Sequence, residues 1–157
     1  LLPPEQGEID IQVKARKDLP IIFDLKAGER LQWTLQLEKY DVRSRVVFKY
    51  DAPPEGVMGD AKLGKGIAAG EVDMSDGSFV TGNPKDPELG GKTEFGYTAD
   101  RGGGCLHLTL DNSYSKMRAK RVRLSVRLTG ADGQSIECNV IHSGGTRYTF
   151  VAERPAA

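Results

Sequence analysis

Two cysteines, two histidines and one tryptophan are all that 157 residues contain of those three types. Two thiols are too few for the disulfide framework that staples small secreted domains. Cys105 and Cys138 would bond only if the strands carrying them are neighbours, and two small buried thiols is the simpler expectation. His107 and His142 are accompanied by no Gly-x-Ser-x-Gly, His-Glu-x-x-His or Cys-x-x-Cys pattern, so catalysis is not expected. A metal site of nitrogen and sulfur ligands would have to assemble Cys105, His107, Cys138 and His142, and neither a metal nor a cofactor is expected. No run of about 18 apolar residues is present, and Leu1-Leu2-Pro3-Pro4 is too short for the core of a signal peptide. The chain opens on Leu rather than Met, which reads as a mature piece or fragment of a longer protein. Asn83, Asn112 and Asn139 all fail the Asn-x-Ser/Thr pattern, which favours a cytosolic over a luminal location. An excess of charge is missing too: 22 basic residues balance 22 acidic ones. No global field therefore draws the chain to nucleic acid or membrane, and electrostatic targeting must come from local segregation.

Helical periodicity is also absent, and two-residue alternation takes its place. Leu106, Leu108 and Leu110 alternate with His107, Thr109 and Asp111; Val122, Leu124, Val126 and Leu128 alternate with Arg121, Arg123, Ser125 and Arg127. That is the period of half-buried strands, with one core face and one polar or basic face. Strands are expected over 9–13, 21–25, 31–37, 42–50, 93–97, 105–110, 122–128, 136–141 and 147–151. Glycine, proline and aspartate clusters such as Pro53-Pro54-Glu55-Gly56, Gly102 to Gly104 and Ser143-Gly144-Gly145 punctuate them. Many short strands at this spacing in one chain predict a single all-β domain, an antiparallel β-sandwich of jelly-roll type spanning 1–157. The interval from Asp51 to Lys92 holds few alternating residues apart from a possible short strand at 67–72, and is expected to be a long mid-domain loop.

Two loop patterns invite a chemical reading. Gly59, Gly64 and Lys65 have phosphate-loop spacing, but Gly66 stands where the loop needs a hydroxyl for magnesium, and no helix follows. Asp73, Asp76, Asp86, Glu88 and Asp100 lack the recurring Asp-x-Asp spacing of a calcium loop. Both read as solvated loop surface.

The basic faces carry more. Arg43, Arg45 and Lys49 alternate outward on one strand, Arg121, Arg123 and Arg127 on another, and Lys116, Arg118 and Lys120 occupy the turn before the second. If those strands come together, they form a concentrated positive surface on a neutral protein. Such a surface attracts anionic headgroups or an acidic protein partner; the same charges equally serve to protect an edge strand. Nucleic acid is not an expected partner, because stacking aromatics are not interleaved with these residues. Trp33, Phe48, Phe95, Tyr97 and Phe150 are expected in the core. Tyr114, in a turn, either packs over the open end of the sandwich or serves as a contact residue.

The Leu110-Asp111-Asn112-Ser113-Tyr114-Ser115 turn, followed by Lys120-Arg121-Val122, resembles the end of a GOLD (Golgi dynamics) domain. Ala27-Gly28 before Leu31-x-Trp33, and Asp41-Val42 leading to Val46, Val47 and Phe48, are similar to its first half, so the resemblance covers about 8–129. The chain departs from the pattern at Leu35 and at Arg43, Ser44 and Arg45, and adds a C-terminal hairpin over 130–157. The resemblance implies a β-sandwich that binds rather than catalyses. It further implies a protein-interaction module of membrane trafficking or Golgi organisation, cytoplasmic and peripheral to Golgi or other endomembranes, with the secretory lumen as the alternative location. A peripheral module for anionic lipid or phosphoinositide is the second expectation and a carbohydrate-binding jelly roll the third; a homo-oligomer is open.

Overall fold

The computed structural model describes residues 7–52, 70–75, 79–82, 85, 92–143 and 147–154, with backbone alone at 141–143. Eleven strands follow in order: β1 (Glu8–Val13), β2 (Asp18–Leu25), β3 (Arg30–Leu37), β4 (Asp41–Tyr50), β5 (Glu71–Asp73), β6 (Phe79–Thr81), β7 (Lys92–Thr98), β8 (Gly104–Asp111), β9 (Lys120–Thr129), β10 (Ser135–Ser143) and β11 (Arg147–Glu153). No helix occurs among the described residues. All nine expected strands form, and β5 and β6 are short additions within the long interval. The glycine-rich stretch Gly59 to Gly66 lies outside the described residues.

The strands make one curled sheet in the order β5-β4-β8-β2-β11-β10-β9-β3-β7. Its two halves face each other as the layers of a sandwich. β10 joins them: Ser135 and Ile136 pair with β9, and Glu137 to Ser143 pair with β11. β1 lies along the first half of β9, on the edge that β3 leaves free.

The expected fold class holds, with one departure: β11 runs parallel to β2, with Phe150 opposite Phe23. The C-terminal hairpin is thus no cap on an outer edge. It fills the seam between β9 and β2, and Phe150 stacks on Phe23 with ring centroids 4.6 Å apart. The core is built from the alternating rows, including Leu106, Leu108 and Leu110 of β8 and Trp33, Leu35 and Leu37 of β3. Phe48, Phe95, Tyr97 and Phe150 belong to it as expected.

Cys105 and Cys138 are free, on strands that are not neighbours. Burial raises the pKa of both thiols, which keeps them protonated at neutral pH. No group of three or more His, Cys, Asp or Glu residues suited to a metal occurs among the described residues. The Cys105–His107 and Cys138–His142 pairs sit on β8 and β10, with β2 and β11 between them.

Candidate functional site

Three turns meet at one end of the sandwich: 14–17 between β1 and β2, 38–40 between β3 and β4, and 112–119 between β8 and β9. Asn112 fastens two of them. It is fully buried, and its Nδ2 donates to the carbonyls of Val13 (3.2 Å), Lys14 (3.2 Å) and Arg118 (2.8 Å). Its backbone N–H donates to the Lys17 carbonyl, and the Arg16 N–H donates to the Ser115 carbonyl. Asp111 starts the second turn by accepting from the Ser113 N–H (2.9 Å) and Oγ (2.5 Å), a local bond of the kind that favours turns over strands. Arg16 and Tyr40 sit in left-handed backbone conformations, with φ of 65° and 66°.

The third turn is tied in through Asp41. The Tyr114 hydroxyl donates to the Asp41 carboxylate (2.6 Å) and lies 2.9 Å from its carbonyl. Lys120 Nζ donates to that carbonyl at 2.7 Å and stands 3.6 Å from the carboxylate. Burial, then the bond to Asp41, pushes the Tyr114 pKa up, so the phenol stays neutral.

Aromatic rings and cations alternate across this end. The Tyr114 ring meets Phe79 edge-on at 5.4 Å. The Arg43 guanidinium lies 4.9 Å over Phe79, Arg118 4.4 Å over Tyr40, Lys39 5.3 Å over Tyr40 and Lys120 5.0 Å over Tyr114. Arg118 also donates to the Tyr40 hydroxyl. Every cation–π contact among the described residues is here. So are four of the five large apolar side chains exposed among the described residues: Tyr40, Phe79, Tyr114 and Met117, the last 91% exposed. Residues 14–18, 38–43 and 111–120 hold eight basic side chains against four carboxylates. Of those carboxylates, Asp41 is occupied by Tyr114 and Lys120, while Asp18 and Asp111 face Arg45 at 2.7 and 3.8 Å. Lys14, Lys17 and Lys116 are exposed at the perimeter.

Asp18 and Asp111 form a carboxyl pair. Burial and the bond to Asp111 raise the Asp18 pKa. Burial also pushes Asp111 upward, but the Ser113 hydrogen bonds, the bond from Asp18 and the Arg45 charge bring it below its ordinary value.

The two basic strands do not merge into one surface. β4 and β9 lie in opposite layers, so Arg43, Arg45 and Lys49 face one side while Arg121, Arg123 and Arg127 face the other. Along β4, Arg45 is paired with Asp18 and Lys49 with Glu71 (3.2 Å). On β9, Arg123 is 7% exposed and donates to Asp10 of β1 at 2.8 Å, leaving Arg121 and Arg127 in solvent. Lys120 is a correction of a different kind. It shares the inward parity of Val122 and Leu124, is 3% exposed, and closes the end of the core instead of lining a basic turn.

Of the ten residues singled out in the sequence, Arg43, Tyr114, Lys116, Arg118 and Lys120 come together at the turn end. Lys14, Arg16, Lys17, Lys39, Tyr40, Phe79 and Met117 join them unforeseen. Only Lys14-Ala15-Arg16-Lys17, a basic run between two strands, announces itself locally. The aromatics that were absent from the basic strands are supplied here by Tyr40 of the 38–40 turn, Tyr114 of the 112–119 turn and Phe79 of β6, which removes the stated ground for setting nucleic acid aside. Compared with known proteins, the chain matches no family model and no curated protein significantly.

Proposed function

We propose that the protein is a non-enzymatic docking module that binds anionic membrane surfaces through its turn end, in the trafficking role that its resemblance to GOLD domains implies. The observation that carries this is the coincidence, on a neutral chain, of a basic excess, exposed rings and a protruding Met117 on one end. Basic residues near an anionic surface contribute about 1 kcal/mol each. Aromatic side chains with a polar tip favour the headgroup level, and an exposed apolar side chain gains by entering it. Base stacking is disfavoured, because one face of each ring is occupied by the protein's own cation. Membrane binding thereby takes precedence over a protein partner as the reading the geometry supports best.

The test is co-sedimentation with phosphatidylcholine vesicles containing phosphatidylserine or a phosphoinositide, at low and physiological salt. The combined variant Lys14→Gln, Lys17→Gln, Lys116→Gln removes three exposed charges and is expected to weaken binding by about two orders of magnitude, from about 1 kcal/mol for each charge. Arg121→Gln with Arg127→Gln, on the sheet face, should change binding little. Binding at neither salt sinks the membrane reading and leaves the same end as a contact for an acidic protein partner.

A further inference from the structure

Away from the turn end, the outer face of the β9-β3-β7 layer holds a cavity of about 370 Å³. We propose that it is a binding site for a small acidic sugar: one carboxylate on a polyhydroxylated ring. Six polar side chains from three strands converge on it: Gln32 and Thr34 of β3, Lys92 and Glu94 of β7, and Ser125 and Arg127 of β9. The register explains the convergence. Arg127 stands opposite Gln32, which stands opposite Gly96; Ser125 stands opposite Thr34, which stands opposite Glu94. Gly96 brings no side chain to its row, and the Arg30 guanidinium lies across it, 2.5 Å from where a Cβ would be.

Two neighbouring cations on this face are engaged. Arg123 is paired with Asp10, and Arg30 donates to Thr98 Oγ1 at 2.8 Å. Within the cavity, Arg127, Lys92, Glu94, Gln32, Thr34 and Ser125 make no side-chain hydrogen bond or ion pair among the described residues. Unengaged groups of both signs lining one concavity mark a ligand site more than an edge-protection device, which needs charge but no hollow.

The mixture of groups selects the ligand class. The volume is at the small end of the range for small-molecule sites, about 300–1,000 Å³, and the polar lining favours a water-soluble polyol over an apolar ligand. The Arg127 guanidinium fork suits a carboxylate. Glu94 opposes a phosphate dianion but accepts readily from sugar hydroxyls, as do Gln32, Thr34 and Ser125. A monoanion rich in hydroxyls is the ligand for which both signs serve.

Trp33 turns its side chain into the core on the opposite face of β3, so binding is read directly, by isothermal titration calorimetry. Titration with glucuronate, galacturonate and N-acetylneuraminate should give a saturable change with at least one of them. Arg127→Gln should weaken that binding at least tenfold, the worth of a charge-assisted bond. Glucose, acetate and glycine test the hydroxyls without the charge, the charge without the hydroxyls, and a zwitterion in place of a sugar; each should bind at least tenfold more weakly. The proposal is overturned by no saturable change with any of the three acids, by equal binding of glucose, acetate or glycine, or by unaltered binding in Arg127→Gln. Should Arg127→Gln prove unstable, Glu94→Gln applies the same criterion, with thermal midpoints recorded for both.

Discussion

Asn112 offers the sharpest test of how the turn end is held, because one side chain serves three carbonyls. Its Nδ2 has two hydrogens for the oxygens of Val13, Lys14 and Arg118. Two of the three keep another donor without it: Lys14 O accepts from the Lys17 N–H, and Arg118 O from Ser115 Oγ. Asn112→Ala therefore costs about one net hydrogen bond per amide hydrogen, about 2 kcal/mol in all. The loss is softened because Asn112 Oδ1 is buried without a partner, and its removal relieves that. For a domain of this length, about 2 kcal/mol lowers the midpoint of thermal unfolding by about 4–8 °C. Asn112→Asp keeps the shape and reverses the electrostatics, aiming a carboxylate at three carbonyl oxygens. Burying that charge without a donor costs more than losing the bonds, so at pH 7 this variant should be the less stable of the two. The new carboxyl group has a folded pKa above its unfolded value of about 3.9. Its protonated form carries the stability, which is present at low pH and lost as pH rises through the raised folded value. The deficit of Asn112→Asp against the parent should accordingly shrink between pH 7 and about pH 5, while that of Asn112→Ala should not. Thermal denaturation at both pH values decides it. If the two variants melt together at pH 7, or the aspartate deficit ignores pH, the amide is not the fastener described.

Three other outcomes follow from the same geometry. Met117→Ser, at a side chain 91% exposed, should leave the thermal midpoint unchanged but weaken vesicle binding by roughly tenfold or more at physiological salt, from the apolar transfer lost; a shift in melting with no change in binding would place Met117 in the fold instead. The Arg123 hydrogen bond lowers the Asp10 pKa, so that pair's stability is present above the unfolded carboxylate value and lost as pH falls below it. The gap between parent and Arg123→Gln in urea unfolding should thus close below about pH 4, and a gap that widens in acid would refute the pairing. Cys105 and Cys138, with pKa values raised by burial, should react with a thiol reagent at pH 7 more slowly than free cysteine, and rapid labelling of either would show that its strand opens.

The strands were legible because their rows are long and regular. Leu106 to Leu110 and Val122 to Leu128 alternate over enough residues for the period to identify the core face, and their inward members are buried as the pattern requires, apart from the half-buried Val126. Local parity failed at strand ends and across distant pairs. Lys120 reads as part of a basic turn until β9 is seen to begin there, at which point its parity with Val122 sends it inward. Arg123 reads as a free surface charge because the strand that covers it, carrying Asp10, is 113 residues away in sequence. The parallel approach of β11 to β2 likewise has no local signature, since an alternating strand looks the same in either direction. The turn end was the least legible feature, for each of its turns taken alone is an ordinary solvated cluster of charges, and only their meeting places Arg118 over Tyr40 and Arg43 over Phe79.

That meeting also changes what neutrality means for this chain. Outside the turn end the described residues hold 12 basic side chains against 12 carboxylates, so their basic excess is confined to that end. Attraction to an anionic surface is therefore directed through one end of the described fold. Orientation and binding then have the same cause, and both fade within a Debye length of about 10 Å at 0.1 M salt. A uniformly basic protein of the same affinity would bind in many poses. This one should bind in few, and the outer face of the β9-β3-β7 layer, with its polar cavity beside the membrane and not against it, would stay open to solvent.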